Sequence, residues 1–162
     1  AREGAAVIQN GTSETIQAIY NMIDQRIRRE LMPLCEEHEI GLIAREPLYC
    51  GLLTGKYTRE SRFTKDDHRN RWTEEKYATD LEKIERIKNA FGPSKVSLKQ
   101  AAIEFALSEQ AVSVVIPGMK TVAHVEDHLR AVRSPQLGAE GIQRIHQLYE
   151  EGELFQTGFF RN

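Results

Sequence analysis

Cysteine and long apolar runs are scarce in this sequence. Its 162 residues include 2 cysteines, Cys35 and Cys50, which are too few for a disulfide framework or a cysteine-based metal site. No stretch reaches the roughly 18 to 20 apolar residues that a membrane-spanning helix needs, and residues 1–11 contain no apolar signal core. The composition therefore predicts a cytoplasmic protein without a membrane partner.

The sequence also has no large excess of positive or negative charge. The formal net charge is −2 at pH 7 and the isoelectric point lies near 6.3, so bulk electrostatics predicts no nucleic-acid partner. Any anion site must then be a local group of positive side chains. A metal site is not predicted either, because His124 and His128 have no carboxylate or third ligand arranged with them.

Short apolar runs alternate with amphipathic stretches along the chain. Residues 16–20, 41–44 and 113–116 are predicted strands. Because each connection between them contains a helix that must cross the sheet, the strands are predicted to be parallel. The predicted fold class is therefore α/β, with the first and third strands both beside the second.

Capping and stop signals place the helices. The first residues resemble the last turns of a helix that Gly11 ends, which leads us to expect an upstream segment. Asp24 is expected to cap a helix that contains Pro33, and Ser97 with Gln100 forms a capping box. Other helices are predicted from Tyr77 to a stop at Gly92-Pro93, at about 122–132 and at about 139–150.

Residues 59–74 are polar, charged and without periodicity, so they are predicted to form a long surface loop. We expect this segment to be the most mobile internal part of the chain, because it shows no apolar face. Its arginines, Arg62, Arg69 and Arg71, together with Lys56, are candidates to clamp a diphosphate. The alternative is that these charges form a solvated surface.

Ligand sites of parallel α/β proteins lie beyond the carboxyl ends of the strands. After the third predicted strand, the segment PGMKT offers Gly118 for close backbone approach, Lys120 for charge and free helix amides near Thr121. These features outline a phosphate site, and the alternative is an ordinary turn with a solvated lysine. After the first strand, Gln17 and Tyr20 are candidates, although a tyrosine at a strand end is more often a core residue.

Four segments at these places resemble the aldo-keto reductase family. They are IQAIYNMIDQR (16–26), IAREPLYCGLLTGKY (43–57), SLKQAAIEFALS (97–108) and VSVVIPGMKTVAHVEDH (112–128). The resemblance covers about residues 14–148. It implies strands six to eight of a (β/α)8 barrel, so that residues 1–162 would be the C-terminal portion of one barrel domain whose upstream units are absent.

The resemblance also implies an NADP(H) cofactor and a small-molecule carbonyl substrate. Gln17 matches the residue that binds the nicotinamide carboxamide, and Arg45 occupies the place of the aromatic residue that stacks on the nicotinamide ring. Asp127 and His128 stand where a Glu-Asn pair reads the adenine. The implied cofactor-binding residues are Gln17, Tyr20, Arg45, Pro47, Leu48, Gly51, Leu53, Lys56, Gly118, Lys120, Thr121, His124, Asp127 and His128.

The family's catalytic tyrosine, lysine, histidine and aspartate belong to strands that precede residue 1, so no catalytic residue is assigned. The expected function is therefore the cofactor-binding part of an NADP-dependent oxidoreductase, inactive by itself. A non-catalytic module for cofactor sensing or interaction remains an alternative. A self-contained three-strand phosphate-binding domain is a third.

Overall fold

The computed structural model describes residues 2–91, 96–133 and 135–154, and three strands within them form one parallel sheet. The strands β1 (Thr15–Ile19), β2 (Gly41–Arg45) and β3 (Val112–Ile116) lie in the order β1-β2-β3. The predicted parallel arrangement is confirmed, and the bounds differ from the predicted runs by one residue at one or both ends.

Six α-helices accompany these strands in the described ranges. Gly11, which follows the first helix, has a left-handed φ of 64°. The hydroxyl of Ser97 accepts a hydrogen bond from the Gln100 N–H, as the capping box predicts, whereas the Gly92-Pro93 stop lies outside the described residues. None of the described helices is long and apolar enough to cross a membrane. The helices are α1 (Arg2–Gln9), α2 (Leu31–Glu37), α3 (Glu74–Ala90), α4 (Leu98–Leu107), α5 (Val122–Arg133) and α6 (Gly138–Glu150).

The predicted helix after β1 differs from the expectation. Asp24 does not cap α2, which begins seven residues later at Leu31; its carboxylate accepts from the backbone N–H of Arg26 at 3.3 Å and pairs with the Arg26 guanidinium at 2.7 Å. A short 3-10 turn at Arg26–Arg28 follows, and α2 begins afresh at Leu31. Pro33 therefore lies in the first turn of α2, where a missing N–H removes no intrahelical hydrogen bond. The proline fits a helix start and does not kink a longer helix.

The two faces of the sheet have different surroundings. Leu42 and Ala44 of β2 are fully buried against the helix layer. The alternate residues of the strands point to the other face, where Val114 and Ile116 remain 46% and 43% exposed. Among the described residues, helices therefore cover one face of the sheet and leave the other open.

A bulge interrupts the pairing of β2 with β3. Leu42 is the register partner of Val112, but the next residue, Ile43, is the partner of Val114. Ser113 is thus one extra residue in β3. Its hydroxyl lies over Gly41, where an added Cβ would be 3.2 Å from Ser113 Oγ.

Candidate functional site

Three loops leave the sheet at its carboxyl edge. The final strand residues Ile19, Arg45 and Ile116 are register partners, so the loops that follow them start side by side. We call residues 46–56 the glycine loop and residues 117–121 the lysine loop. This edge is where ligands bind in parallel α/β proteins.

The glycine loop has an unusual backbone. Glu46, Tyr49 and Cys50 adopt left-handed φ angles of 56°, 45° and 52°, and Gly51 follows with 87°. Such a conformation costs a non-glycine residue about 1 kcal/mol or more. It persists only where surrounding groups hold the backbone, so the contacts of these three residues identify the groups that shape the loop.

Glu46 is held from the loop after β1. The side-chain amide of the fully buried Asn21 donates to the Glu46 carbonyl at 3.0 Å. The Asn21 Oδ1 accepts from the N–H groups of Ile23 and Asp24 at 3.0 and 2.9 Å. Asn21 therefore joins two neighbouring loops, although the sequence prediction did not select it. In the sequence, an asparagine directly after a predicted strand is typical of a turn in which its side chain accepts from the following N–H groups.

Tyr49 is held from α3. Its hydroxyl lies 3.2 Å from both carboxylate oxygens of Asp80, which is 1% exposed. The ammonium groups of Lys76 and Lys83 pair with the same carboxylate, that of Lys83 at 3.1 Å. Burial and the adjacent Asp80 raise the pKa of Tyr49 far above its ordinary value, so the hydroxyl stays a donor.

Cys50 is held from the segment 59–74. Its carbonyl accepts from Nη1 of Arg69 at 3.2 Å. Burial, followed by the nearby Glu46 carboxylate, raises the pKa of the Cys50 thiol to about 12. The thiol is therefore protonated near neutral pH and is a poor nucleophile in this environment.

The expectation that residues 59–74 have no apolar face is wrong. Phe63 and Trp72 pack with Tyr57 and Tyr77, with ring centroids 5.3 Å apart for Phe63 and Tyr77 and 6.1 Å for Phe63 and Trp72. Arg69 lies inside this cluster, paired with a carboxylate, so it is not a free cation awaiting an anion. Periodicity could not reveal the cluster because its members are irregularly spaced. The mobility of the segment stays a prediction.

The predicted cofactor-binding residues of the glycine loop differ in exposure. The side chains of Pro47, Leu48 and Leu53 are buried and anchor the loop in the core. The N–H groups of Gly51 and Leu53 both donate to the carbonyl of Leu48, so these amides are already used. Lys56 is exposed, with its ammonium 5.0 Å from the Tyr57 ring centroid. Within this loop, Lys56 presents the positive charge.

The lysine loop is far more open. An added Cβ on Gly118 would meet nothing within 4 Å, and Lys120 is exposed. The hydroxyl of Thr121 accepts from the His124 N–H at 3.2 Å, which caps the start of α5. The Lys120 N–H donates to the His124 ring at 3.2 Å. His124 therefore shapes this loop, and the Lys120 ammonium extends from it.

The next turn of α5 carries the two residues predicted at the adenine. The Asp127 carboxylate is paired with Lys99 and Arg130, and the hydrogen bond from Lys99 lowers its pKa. His128 is 7% exposed, and its Nδ1 has no hydrogen-bond partner among the described residues. Burial, then Lys99, lowers the pKa of His128 and favours the neutral ring. His128 thus has a buried polar atom without a hydrogen-bond partner among the described residues, whereas the carboxylate of Asp127 is already paired.

Gln17 and Arg45 lie on the open face of the sheet. Gln17 is exposed in β1, beside its register partner Ile43. Arg45 ends β2, and its Nη1 lies 3.1 Å from the carboxylate of Glu46. Both side chains are therefore accessible next to the carboxyl edge.

The Tyr20 side chain lies in the core and not at a surface that a cofactor could contact. Its side chain is fully buried, its ring stacks on Phe105 at 5.5 Å, and its hydroxyl donates to Glu109 at 2.9 Å. The same carboxylate is 2.9 Å from Arg28 and 3.1 Å from His146. The hydrogen bond from His146, aided by that from Tyr20, lowers the pKa of Glu109 to about 2. Tyr20 is thus a core residue that supports the helix layer.

Comparisons with known proteins support the family that the motifs indicate. The sequence model of the aldo/keto reductase family matches residues 12–150. A probable voltage-gated potassium channel subunit beta of Arabidopsis thaliana is 32% identical over 122 residues, which are 72% of this chain and 37% of that protein. An aldo-keto reductase of Schizosaccharomyces pombe, whose name specifies NADP(+), is 23% identical over 156 residues, which are 94% of this chain and 46% of that protein.

A solved structure shows the same fold. The glycerol dehydrogenase of Gluconobacter oxydans matches with a TM-score of 0.74 at 22% identity, over 91% of this chain and 46% of that one. The three strands and their helices therefore form part of an aldo-keto reductase barrel. The chain spans less than half the length of each of these three relatives.

Proposed function

Because the chain belongs to the aldo/keto reductase family, we propose that it is the cofactor-binding part of an oxidoreductase that reduces a carbonyl compound with NADP(H). The observation that carries the proposal is the lysine loop. It combines open space at Gly118, an exposed Lys120 and a capped helix start at Thr121, all directly after β3. A helix N-terminus with a neighbouring cation favours a phosphate group.

Each accessible group then has one role. Lys120 and the start of α5 bind the 2′-phosphate, which distinguishes NADP(H) from NAD(H), and Lys56 faces the diphosphate. Gln17 binds the carboxamide, and the Arg45 guanidinium stacks on the nicotinamide ring. The cofactor supplies the hydride when it is bound. The Nδ1 of His128 is buried without a partner among the described residues, so it would contact the adenine only if the ring turned toward the surface.

The acid that protonates the reduced oxygen comes from outside this chain. Tyr20 and Tyr49 follow the carboxyl ends of β1 and β2, but both are buried, and burial together with a hydrogen-bonded carboxylate raises their pKa. Neither can deliver a proton to a ligand at neutral pH. In this proposal the catalytic groups belong to additional barrel units.

Three kinds of apolar or unpaired surface among the described residues support such additional units. The outer edges of β1 and β3 have no neighbouring strand, and one face of the sheet is open. A stripe on α5 is exposed, with Val122 at 76%. Completion of a closed barrel would pair both edges and cover the open face. Residues 1–162 are thus proposed to be one portion of a larger barrel domain.

A second candidate is a non-catalytic module that binds the cofactor and a protein partner. The observation that favours it is the name of the Arabidopsis relative, a probable channel subunit. Single-turnover measurements on the complete protein with NADPH and a panel of aldehydes and ketones separate the two. Carbonyl-dependent oxidation of NADPH supports the enzyme, and tight NADPH binding without oxidation supports the module.

The cofactor assignment is tested by Lys120→Ala in the complete protein that carries this chain. A charge-assisted contact to phosphate contributes roughly 1.5 to 3 kcal/mol, so NADPH binding should weaken by about one to two decades while NADH binding changes far less. The difference should shrink as salt rises. Fluorescence titration of both cofactors measures this. Lys88→Ala, which removes a lysine of α3, is the matched control, and equal loss for both cofactors would contradict the assignment.

A further inference from the structure

We propose that Arg69, held by Asp67, positions the glycine loop for the cofactor diphosphate and does not bind phosphate itself. The proposal rests on the function proposed above, and it assigns Arg69 and Asp67 a role that differs from a direct ionic clamp. Both are positioning residues, because they act through the backbone of the loop.

The donors of Arg69 are directed toward the protein. Its Nε donates to Asp67 Oδ1 at 2.8 Å and its Nη2 to Oδ2 at 2.5 Å, while Nη1 donates to the Cys50 carbonyl at 3.2 Å. Tyr57 and Phe63 cover the guanidinium, each with a ring centroid 4.6 Å away. The side chain is 13% exposed. An anion would have to displace several of these contacts to reach the charge.

The contact point is where the loop backbone is most constrained. Tyr49, Cys50 and Gly51 are three consecutive residues with left-handed φ. Arg69 binds the middle one and lies beside the third, since an added Cβ on Gly51 would lie 3.4 Å from Nη1. Without this contact, Cys50 loses the group that holds its backbone and is free to return to an ordinary φ angle. The path toward Lys56 would then change.

The fork shape of the guanidinium explains why an arginine is needed. One plane donates twice to Asp67 and once to Cys50, which a lysine ammonium cannot reproduce with the same geometry. Hydrogen bonds from Arg69 also lower the pKa of Asp67, so the pair remains ionised at neutral pH. An ionised pair has no net charge and attracts a distant diphosphate weakly.

The two possible roles of the pair predict opposite changes in NADPH affinity for one variant. Asp67→Asn removes a negative charge, so a direct phosphate contact by Arg69 predicts tighter NADPH binding. The positioning role predicts weaker binding, by about tenfold or 1.4 kcal/mol, because the guanidinium loses the carboxylate that aligns it. Arg69→Lys, which keeps the charge, should weaken NADPH by a similar factor.

The measurement uses the complete protein, with NADPH and adenosine 2′-monophosphate as probes. Adenosine 2′-monophosphate lacks the diphosphate, so Asp67→Asn and Arg69→Lys should leave its affinity unchanged. Glu82→Gln is the matched control, because it removes the carboxylate of an exposed pair with Arg59 from the same region. Amide hydrogen exchange of residues 46–56 in the same variants reports loop order, and it should quicken in both Arg69 and Asp67 variants relative to the control.

The outcomes are separable. Tighter or unchanged NADPH binding in Asp67→Asn overturns the inference while the cofactor assignment stands. Loss of affinity for both probes alike also overturns it, because the effect would not be local to the diphosphate. If the wild-type protein binds neither probe, the proposed function fails and the diphosphate role falls with it. The exchange data then still decide whether Arg69 holds the loop, and an unchanged rate shows that it does not.

Discussion

The glycine loop and the lysine loop leave neighbouring strands at the same edge, but they are built in opposite ways. The glycine loop has a strained backbone that contacts from three other parts of the chain hold in place. The lysine loop is short and exposed, and its hydrogen bonds connect it to the first turn of α5. One loop is fixed before any ligand arrives, whereas the other keeps its charge and space available.

This difference shows how a site can divide its tasks. A preorganised loop lowers the ordering cost of binding, because its conformation is already fixed in the folded protein. An open loop with an exposed cation provides charge recognition that is sensitive to ligand chemistry and to salt. Substitutions should therefore affect stability at the glycine loop and ligand choice at the lysine loop.

The largest expected effect comes from removing the Asp80 anchor. Asp80→Ala leaves the buried Lys83 ammonium and the Tyr49 hydroxyl without their carboxylate, which should lower the free energy of unfolding by about 3 kcal/mol or more. Urea denaturation followed by circular dichroism measures the change. Glu82→Ala disrupts an exposed pair on the same helix and should cost less than about 1 kcal/mol. Similar losses in the two variants would mean that the buried anchor does not stabilise the loop.

A change in pH is expected to have an intermediate effect on stability, through the hydrogen-bonded network of Tyr20, Arg28, Glu109 and His146. The pKa of Glu109 is lowered from 4.5 to about 2 in the folded protein. A lowered folded pKa gives stability that is fully present above pH 4.5 and is lost as pH falls through 2. Partial exposure limits this contribution to about 2 kcal/mol.

Glu109→Gln isolates that contribution. The variant should be less stable than the wild type at pH 7 and should approach it near pH 2, where the wild-type carboxyl is about half protonated. Unfolding free energies measured from pH 7 to pH 2 test the convergence. A constant difference across this range would show that the carboxylate charge is not what stabilises the network.

The smallest effect distinguishes the two loops through their glycines. Gly51 has a φ of 87° and Arg69 beside it, so Gly51→Ala should lower the unfolding free energy by about 1 to 2 kcal/mol. Gly118 has open space around it, so Gly118→Ala should be neutral or raise stability by about 0.5 kcal/mol. Thermal unfolding of the two variants gives both values. The same sign for both would contradict the contrast between a strained and an open loop.

Local sequence patterns predicted the strands and most helices because each pattern depends on residues close in the chain. The alternation of apolar runs placed β1, β2 and β3 within one residue, and the Ser97 cap gave the start of α4. The exposed positions of Lys56, Gly118 and Lys120 also follow from local chemistry at strand ends. Their assignment to a cofactor depends on the family resemblance and stays a proposal.

The rest depends on contacts between distant residues, which local patterns do not contain. Asn21 and Glu46 are 25 positions apart, and Tyr49 and Asp80 are 31 apart. Tyr20 is a core residue because it stacks on Phe105 of α4, a helix that starts far along the chain. The apolar spacing after β1 predicted one helix capped by Asp24, whereas the chain forms a 3-10 turn at Arg26–Arg28 and begins α2 at Leu31.

Because of the bulge in β3, the residues that fit at positions 41 and 113 depend on each other. Ser113 is the extra residue, and its hydroxyl occupies the space above Gly41. Deletion of Ser113 would remove the bulge and keep Val114 opposite Ile43, so the lysine loop would stay in place relative to the glycine loop. A larger residue at position 41 is compatible with that shortened strand but presses on the serine in the present one. Chain length at 113 and side-chain size at 41 are therefore expected to change together among homologous chains.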